Sequence, residues 1–235
     1  MRAAIMRGGR LVVDELEERA PLDGQVAVEV LAGGICGSDL HALHHADQMV
    51  EMSSVMAAEA GPLAPRIMDP SADVVMGHEF AARVVEVGGN VGNCRPGDVV
   101  VSMPVVFDPG GVHAVGYSND YAGGYGERMI LSDPLCLKVP EGVDHRHAAL
   151  TEPMAVGLHA VNLSRLTERD AAVVLGCGPV GLAVVAACAA KGVESIVAAD
   201  FSPARRRLAA AFGATEVVDP ATEPAMEAWR RVDGR

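Results

Sequence analysis

Three short runs carry the side chains best suited to chemistry: Gly33-Gly34-Ile35-Cys36-Gly37-Ser38-Asp39-Leu40-His41, Gly77-His78-Glu79 and Glu152-Pro153. Cys36 sits in a loop between glycines and His78-Glu79 at the mouth of a strand-like run, so both can face one cleft. A thiolate, an imidazole, one carboxylate and a water make a four-coordinate zinc site with an exchangeable position, the arrangement that catalysis requires. Glu79 and Glu152 compete for the carboxylate place. Taken singly, Cys36 reads as a small buried thiol and His78 as a hydrogen-bonded core histidine.

A second constellation is Gly176-Cys177-Gly178-Pro179-Val180-Gly181. Glycine-rich turns are common, but this one follows the apolar run Ala172 to Leu175 and opens a helical stretch. There, Gly176, Gly178 and Gly181 make a tight turn, let a pyrophosphate approach the backbone and pack helix on strand, while Pro179 and Val180 lead into the helix whose N-terminus attracts the anion. Asp200 ends the next strand, 24 residues after Gly176, where a carboxylate accepts hydrogen bonds from a ribose and repels a 2′-phosphate. NAD is therefore expected over NADP. Arg205, with Arg206 and Arg207, keeps NADP open, although solvated helix charges explain all three.

These groups need a scaffold, and the hydrophobic pattern supplies one. Strand-like runs occupy Arg2 to Met6, Leu11 to Val13, Gln25 to Leu31, Phe80 to Val87, Val99 to Met103, Glu127 to Leu131 and Cys136 to Val139, with a turn at Pro21 to Gly24. Short strands punctuated by turns indicate a small barrel. A helix is expected over 42–60, its Met49, Met52 and Met56 forming a stripe that lines a core or a pocket. Pro62, Pro65 and Pro70 force an irregular link, and the glycine-rich stretch Asp108 to Gly126 reads as a long surface loop. Beyond a helix over 146–167 the pattern alternates: strand 172–175, helix 180–191, strand 195–199, helix 203–212, strand 216–218 and a last helical piece ending at Trp229. Strand-helix alternation signals a parallel sheet with crossover helices. The fold class is α/β, with domains expected over 1–155 and 156–235.

Composition narrows the function. The chain has 235 residues, 50% of them hydrophobic, only 3% aromatic, and a formal charge of -12. Such acidity argues against a phosphate-backbone partner and an anionic membrane surface. The apolar stretch Ala171 to Ala190 is broken by glycines and a proline, so it is no membrane span. Five cysteines at 36, 94, 136, 177 and 188 form no CxxC pair, which disfavours a disulfide framework and suits a reducing cytoplasm. The N-terminus shows no signal-peptide core.

Together, Gly34 to His41, Gly77-His78-Glu79, Pro96-Gly97-Asp98-Val99-Val100, Gly123-Gly124-Tyr125-Gly126-Glu127, Glu152 to Ala160 and Gly176 to Gly181 resemble, in order, the zinc-dependent medium-chain alcohol and polyol dehydrogenases. The resemblance implies a GroES-like β-barrel domain followed by a Rossmann domain, a doubly wound parallel sheet. It implies that Cys36 and His78 bind the catalytic zinc, with Glu79 as third protein ligand and Glu152 as an exchangeable ligand or partner of the zinc-bound water. Asp39 would hold the zinc-binding histidine, and Ser38 and His41 would relay the hydroxyl proton outward. The substrate would be a small alcohol, a polyol, or the corresponding aldehyde or ketone. A homo-oligomer is compatible with the sequence.

Three departures qualify the expectation. Only Cys94 is present where many relatives carry four cysteines, so one catalytic ion and no structural zinc are expected. The segment 42–76 is longer than usual, reshaping the substrate entrance. The chain reads as C-terminally truncated, with only the first half of the nucleotide fold and Ala172 to Leu175 left as a sheet edge. These departures leave two rival readings: a truncated remnant that binds zinc or nucleotide without turnover, and a zinc-free quinone or enoyl reductase-like protein, which has no need of Cys36, His78 and Glu152.

Overall fold

β-Branched runs separated by turn residues build the first half of the chain. The computed structural model describes residues 1–61 and 64–233. Two units are distinguishable, Met1–Glu152 and Pro153–Arg235.

In the first unit, β1 (Arg2–Arg7) lies between β2 (Arg10–Glu15) and β5 (Val74–Val75). The main sheet has the order β10-β3-β6-β7-β11, all antiparallel, from β3 (Gln25–Gly33), β6 (Phe80–Val87), β7 (Val99–Ser102), β10 (Arg128–Ser132) and β11 (Cys136–Lys138). Val26, Val28, Phe80, Ala82, Val84, Val100, Met129 and Leu131 fill its core. The β3–β6 ladder shifts register between Ala27 and Val28 and between Val30 and Ala32, then ends with Gly33 opposite Phe80. Such shifts bend a strand and re-aim the residues beyond it. Here they bring the 34–36 loop against His78-Glu79, with the Gly34 N–H donating to the Glu79 carbonyl at 2.8 Å.

The helix expected over 42–60 is two helices, α1 (Gly37–His44) and α2 (Ala46–Ala60), broken at His45, whose φ of -140° and ψ of 44° are not helical. No residue of α2 is buried. Met49 is half-buried, but Met52 and Met56 are 54% and 64% exposed, so the stripe is no core face. Met49, Ser53, Met56, Ala57 and Ala60 instead line a cavity of about 220 Å³, with Ile67, Met68 and Tyr117 among its other walls. Of the link prolines, Pro62 lies outside the described residues, Pro65 opens β4 (Pro65–Arg66) and Pro70 stands in a turn.

The surface loop expected from Asp108 to Gly126 is corrected more sharply. β8 (Val105–Asp108) and β9 (Gly111–Ala114) form a hairpin closed at Asp108–Gly111, and β9 also pairs with β4 in parallel. The following segment is anchored by buried side chains, Val115, Ser118 and Tyr121, while His113 on β9 is 1% exposed. His113 stands between Asp108 Oδ1 at 3.1 Å and Asp120 Oδ2 at 3.6 Å, and Tyr121 Oη donates to Asp108 Oδ2 at 2.9 Å. Four-residue strands among glycines show no period in sequence, yet this polar cluster and the close backbone contacts hold them in place.

The helical stretch expected over 146–167 is α3 (His145–Ala148) and α4 (Thr151–Ser164). Pro153 falls in the first turn of α4, where a missing N–H breaks no helical bond. In the second unit, β12 (Ala171–Leu175), β13 (Ser195–Ala199) and β14 (Glu216–Val218) form a parallel sheet in that order. Alternate residues face opposite sides of a strand. Ala172, Val174, Ile196 and Ala198 pack on α5 (Pro179–Ala190) and α6 (Pro203–Ala211), while Val173, Val197, Ala199 and Val218 pack on α7 (Ala225–Asp233). Among the described residues β12 is an edge strand of this sheet. No helix among them is long and apolar enough to cross a membrane.

Candidate metal centre and nucleotide-binding turn

Cys36 occupies the N-cap of α1, and His78-Glu79 immediately precedes β6, so the bent end of β3 carries the thiol to the other two residues. Ligand atoms of Cys36, His78 and Glu79 all lie within 4.8 Å of one another. His78 and Glu79 are buried, and Cys36 is half-buried. Gly34 makes room for the carboxylate, since a Cβ there would fall 2.0 Å from Glu79 Oε2. Sulfur, imidazole nitrogen and carboxylate oxygen are the donor types of a catalytic zinc site, so the residues fit the ion that the sequence implies.

Charge points the same way. Burial disfavours the His78 imidazolium, but Asp39 and Cys36 outweigh it and raise its pKa to about 9. Glu152, half-buried at the start of α4, is raised by burial and, despite an opposing pull from His78, by Glu79 and Asp39. Three carboxylates, Asp39, Glu79 and Glu152, thus lie around one imidazole, a surplus of anionic groups that a cation would offset.

Asp39, in the first turn of α1 and 1% exposed, supports the site. Burial pushes its carboxyl up, but His78, the Cys36 N–H and Tyr125 together bring it below the usual range. Its Oδ1 is 3.4 Å from His78 Nδ1, a buried nitrogen with no aligned hydrogen bond. Ser38 Oγ, on the same turn, accepts from Tyr117 Oη at 2.9 Å. His41 stands apart, exposed, its ring 5.1 Å from that of His45. Sequence reasoning gave Tyr117 no role and noted Tyr125 only as part of a glycine motif. Nothing local marks either, because each reaches Asp39 from about 80 residues away in sequence.

The glycine turn is built as its residue types require. Gly176 has a φ of 92°, Gly178 caps α5 and Pro179 opens it. A Cβ on Gly181 would stand 1.8 Å from the Gly176 carbonyl oxygen, so only glycine lets α5 lie this close to β12. Asp200, at the end of β13, accepts from Ser202 N at 2.7 Å and Cys177 N at 2.8 Å, and these N–H groups hold its carboxyl below the usual range. Arg205 Nη1 approaches Asp200 Oδ2 at 3.7 Å. Arg206 instead donates to the Asp200 and Phe201 carbonyls and pairs with Asp219. Val180 is exposed.

A strand-rich unit that gathers Cys, His and Glu donors, and a separate parallel-sheet unit with a glycine turn at a helix N-terminus, define a metal-type dehydrogenase architecture. The alcohol dehydrogenase GroES-like domain family matches residues 22–141, and the zinc-binding dehydrogenase family matches residues 179–234. The chain belongs to the zinc-dependent medium-chain dehydrogenases of the alcohol and polyol type. It is 36% identical over 218 residues to the (R,R)-butanediol dehydrogenase of Bacillus subtilis, covering 88% of this chain and 60% of that protein. It is 30% identical to the erythritol/L-threitol dehydrogenase of Mycolicibacterium smegmatis, over all of this chain and 67% of that one. The crystal structure of 2R,3R-butanediol dehydrogenase from Bacillus subtilis superposes with a TM-score of 0.81 at 33% identity, over 99% of this chain and 67% of that chain. A putative zinc-binding dehydrogenase from Sinorhizobium meliloti bound to NADP superposes at 0.80 with 27% identity, over 97% and 64%. The chain thus spans about three fifths to two thirds of the length of these relatives.

Proposed function

We propose that the protein is an oxidoreductase that transfers hydride between a small alcohol or polyol and NAD at a single zinc ion. One observation carries the reading: the Cys36, His78 and Glu79 donor atoms converge within 4.8 Å in a chain that also carries a dinucleotide-type turn. Cys36, His78 and Glu79 hold the ion, and Glu152 is the nearby carboxylate that exchanges with them or binds its water. When bound, zinc supplies Lewis acidity toward the substrate oxygen and NAD accepts the hydride.

The remaining work belongs to the chain's own residues. Asp39 orients His78. Ser38 takes the hydroxyl proton at its Oγ, and His41 passes it to solvent. Gly176, Gly178, Pro179, Val180 and Gly181 receive the pyrophosphate, Asp200 accepts from the adenosine ribose, and Arg205 flanks it. Asp200 favours NAD over NADP because its anionic form is stabilised by the Ser202 and Cys177 amides and repels a 2′-phosphate. The reading takes one ion and not two, with Cys94 buried beside Asp133 and Cys136. The domains are taken as 1–155 and 156–235, within a few residues of the division between Glu152 and Pro153, and five free cysteines suit a cytoplasmic setting.

The relatives' names supply the test panel: 2,3-butanediol, erythritol, threitol and xylulose. The purified protein is expected to hold one zinc per chain and to reduce NAD with at least one of the corresponding alcohols. Zinc without turnover would instead support a binding remnant, and turnover without zinc would support the quinone or enoyl reductase-like reading.

A further inference from the structure

Asp39 receives more hydrogen bonds than helix capping needs. Its Oδ2 accepts from the Cys36 N–H at 3.0 Å and from Tyr125 Oη at 2.8 Å. Its Oδ1 faces His78 Nδ1 at 3.4 Å and lies 3.3 Å from Tyr117 Oη, which reaches Ser38 Oγ more closely, at 2.9 Å. Both phenols come from the segment after β9, and that segment is fastened to the metal-side backbone. Gly124 N donates to Gly77 O at 2.7 Å and Tyr125 N to Met76 O at 3.0 Å. A Cβ on Gly77 would fall 2.6 Å from the Tyr125 ring, so the ring packs directly on the residue before His78. The Tyr117 ring stands 5.4 Å from the His78 ring.

Packing alone does not call for these hydroxyls, because phenylalanine fills the same volume. A half-buried phenol gains most where its hydroxyl finds an acceptor, and here two of them meet one buried carboxylate. A carboxylate free to turn can offer either oxygen to an imidazole. With Oδ2 pinned by an amide and a phenol, Asp39 offers only Oδ1.

We propose that Tyr125 and Tyr117 are positioning residues of the metal centre, their hydroxyls locking the Asp39 carboxylate so that Oδ1 stays turned toward His78 Nδ1 and the other ring nitrogen is left to the ion. Tyr125 does most of this, since its hydroxyl bonds Asp39 directly at 2.8 Å, whereas Tyr117 divides its proton between Ser38 and Asp39. The inference rests on the metal reading above and adds to it two residues outside the ligand set.

Tyr125→Phe and Tyr117→Phe decide it, read by optical titration with Co²⁺, whose thiolate charge-transfer band reports Cys36 ligation. Tyr125→Phe should weaken Co²⁺ binding about tenfold and Tyr117→Phe less, with the native circular dichroism spectrum retained in both. Affinities within twofold of the parent for both variants overturn the proposal. Cys36→Ser serves as the control on the metal itself. If the parent shows no Co²⁺ band, the metal reading fails, and the His78 Nδ1–H resonance of the metal-free protein decides whether the tyrosines position His78. It should be downfield and sharp in the parent and displaced or broadened in Tyr125→Phe; an unchanged resonance overturns that role too.

Discussion

Replacing Gly34 by alanine separates the two carboxylates proposed as the third ligand. The new Cβ would stand 2.0 Å from Glu79 Oε2, 3.0 Å from Glu79 Cβ and 3.1 Å from Glu79 Cδ. A carbon needs about 3.5 Å from a non-bonded neighbour, so the Glu79 carboxylate must retreat by roughly 1.5 Å. Metal–oxygen bonds tolerate about 0.2 Å, so a carboxylate displaced that far no longer ligates. The damage is local. Gly34 does not occupy the left-handed region, and its N–H goes on donating to the Glu79 carbonyl. Folding stability should therefore fall by about 1–3 kcal/mol, the usual cost of crowding a buried side chain, with the fold retained. Disturbing groups that merely support a ligand already weakens metal binding by about 10–100-fold, so losing the ligand itself should reach at least about 100-fold, or about 2.7 kcal/mol. Chelator-buffered Co²⁺ titration measures the affinity, and urea unfolding checks the fold. Glu152→Gln, in parallel, should change the affinity less than tenfold. Gly34→Ala binding within threefold of the parent, with a large loss in Glu152→Gln, would refute the assignment and make Glu152 the third ligand.

Three other parts of the chain give further expected outcomes. Gly181→Ala drives a Cβ to 1.8 Å from a backbone carbonyl that cannot yield, so it should destabilise the protein by about 1–3 kcal/mol in urea and weaken NAD binding by calorimetry more than tenfold. His113→Leu replaces a buried imidazole that stands 3.1 Å from Asp108 and should destabilise by about 1–3 kcal/mol, checked by the urea midpoint. Asp133 accepts from the N–H groups of Gly92, Asn93 and Cys94 at 3.1, 3.0 and 2.8 Å; burial pushes its carboxyl up, but these bonds bring it below the usual range. Because the folded pKa is depressed, that stabilisation is fully present above the unfolded carboxyl's pKa of about 4 and is lost as pH falls through the folded value. Asp133→Asn should therefore cost about 2 kcal/mol at pH 7 and progressively less in acid, measured as urea midpoints across pH 7 to 2.

The donors of the candidate metal centre were legible because chemistry demands particular residue types in short local patterns. Cys36, His78 and Glu79 announce themselves within a few residues of a glycine, and so does the Gly176 to Gly181 turn. The parallel sheet was legible for a similar reason, since one period of hydrophobicity marks each strand and each helix. The features hidden from such patterns are non-local. The two register shifts that bend β3 toward His78 depend on pairing with β6, about 50 to 60 residues on. The methionine stripe of α2 has helical spacing whether it meets a core or a cavity. The stretch from Asp108 to Gly126 reads as a loop because its glycines suggest slackness, whereas the structure uses them for close approach. A Cβ on Gly123 would stand 2.4 Å from Gly77 O, and one on Gly116 would stand 3.0 Å from the same atom. Larger residues at these positions would hold the segment away from Gly77-His78. The glycines that disguise it as a loop are what allow it to carry Tyr117 and Tyr125 to Asp39.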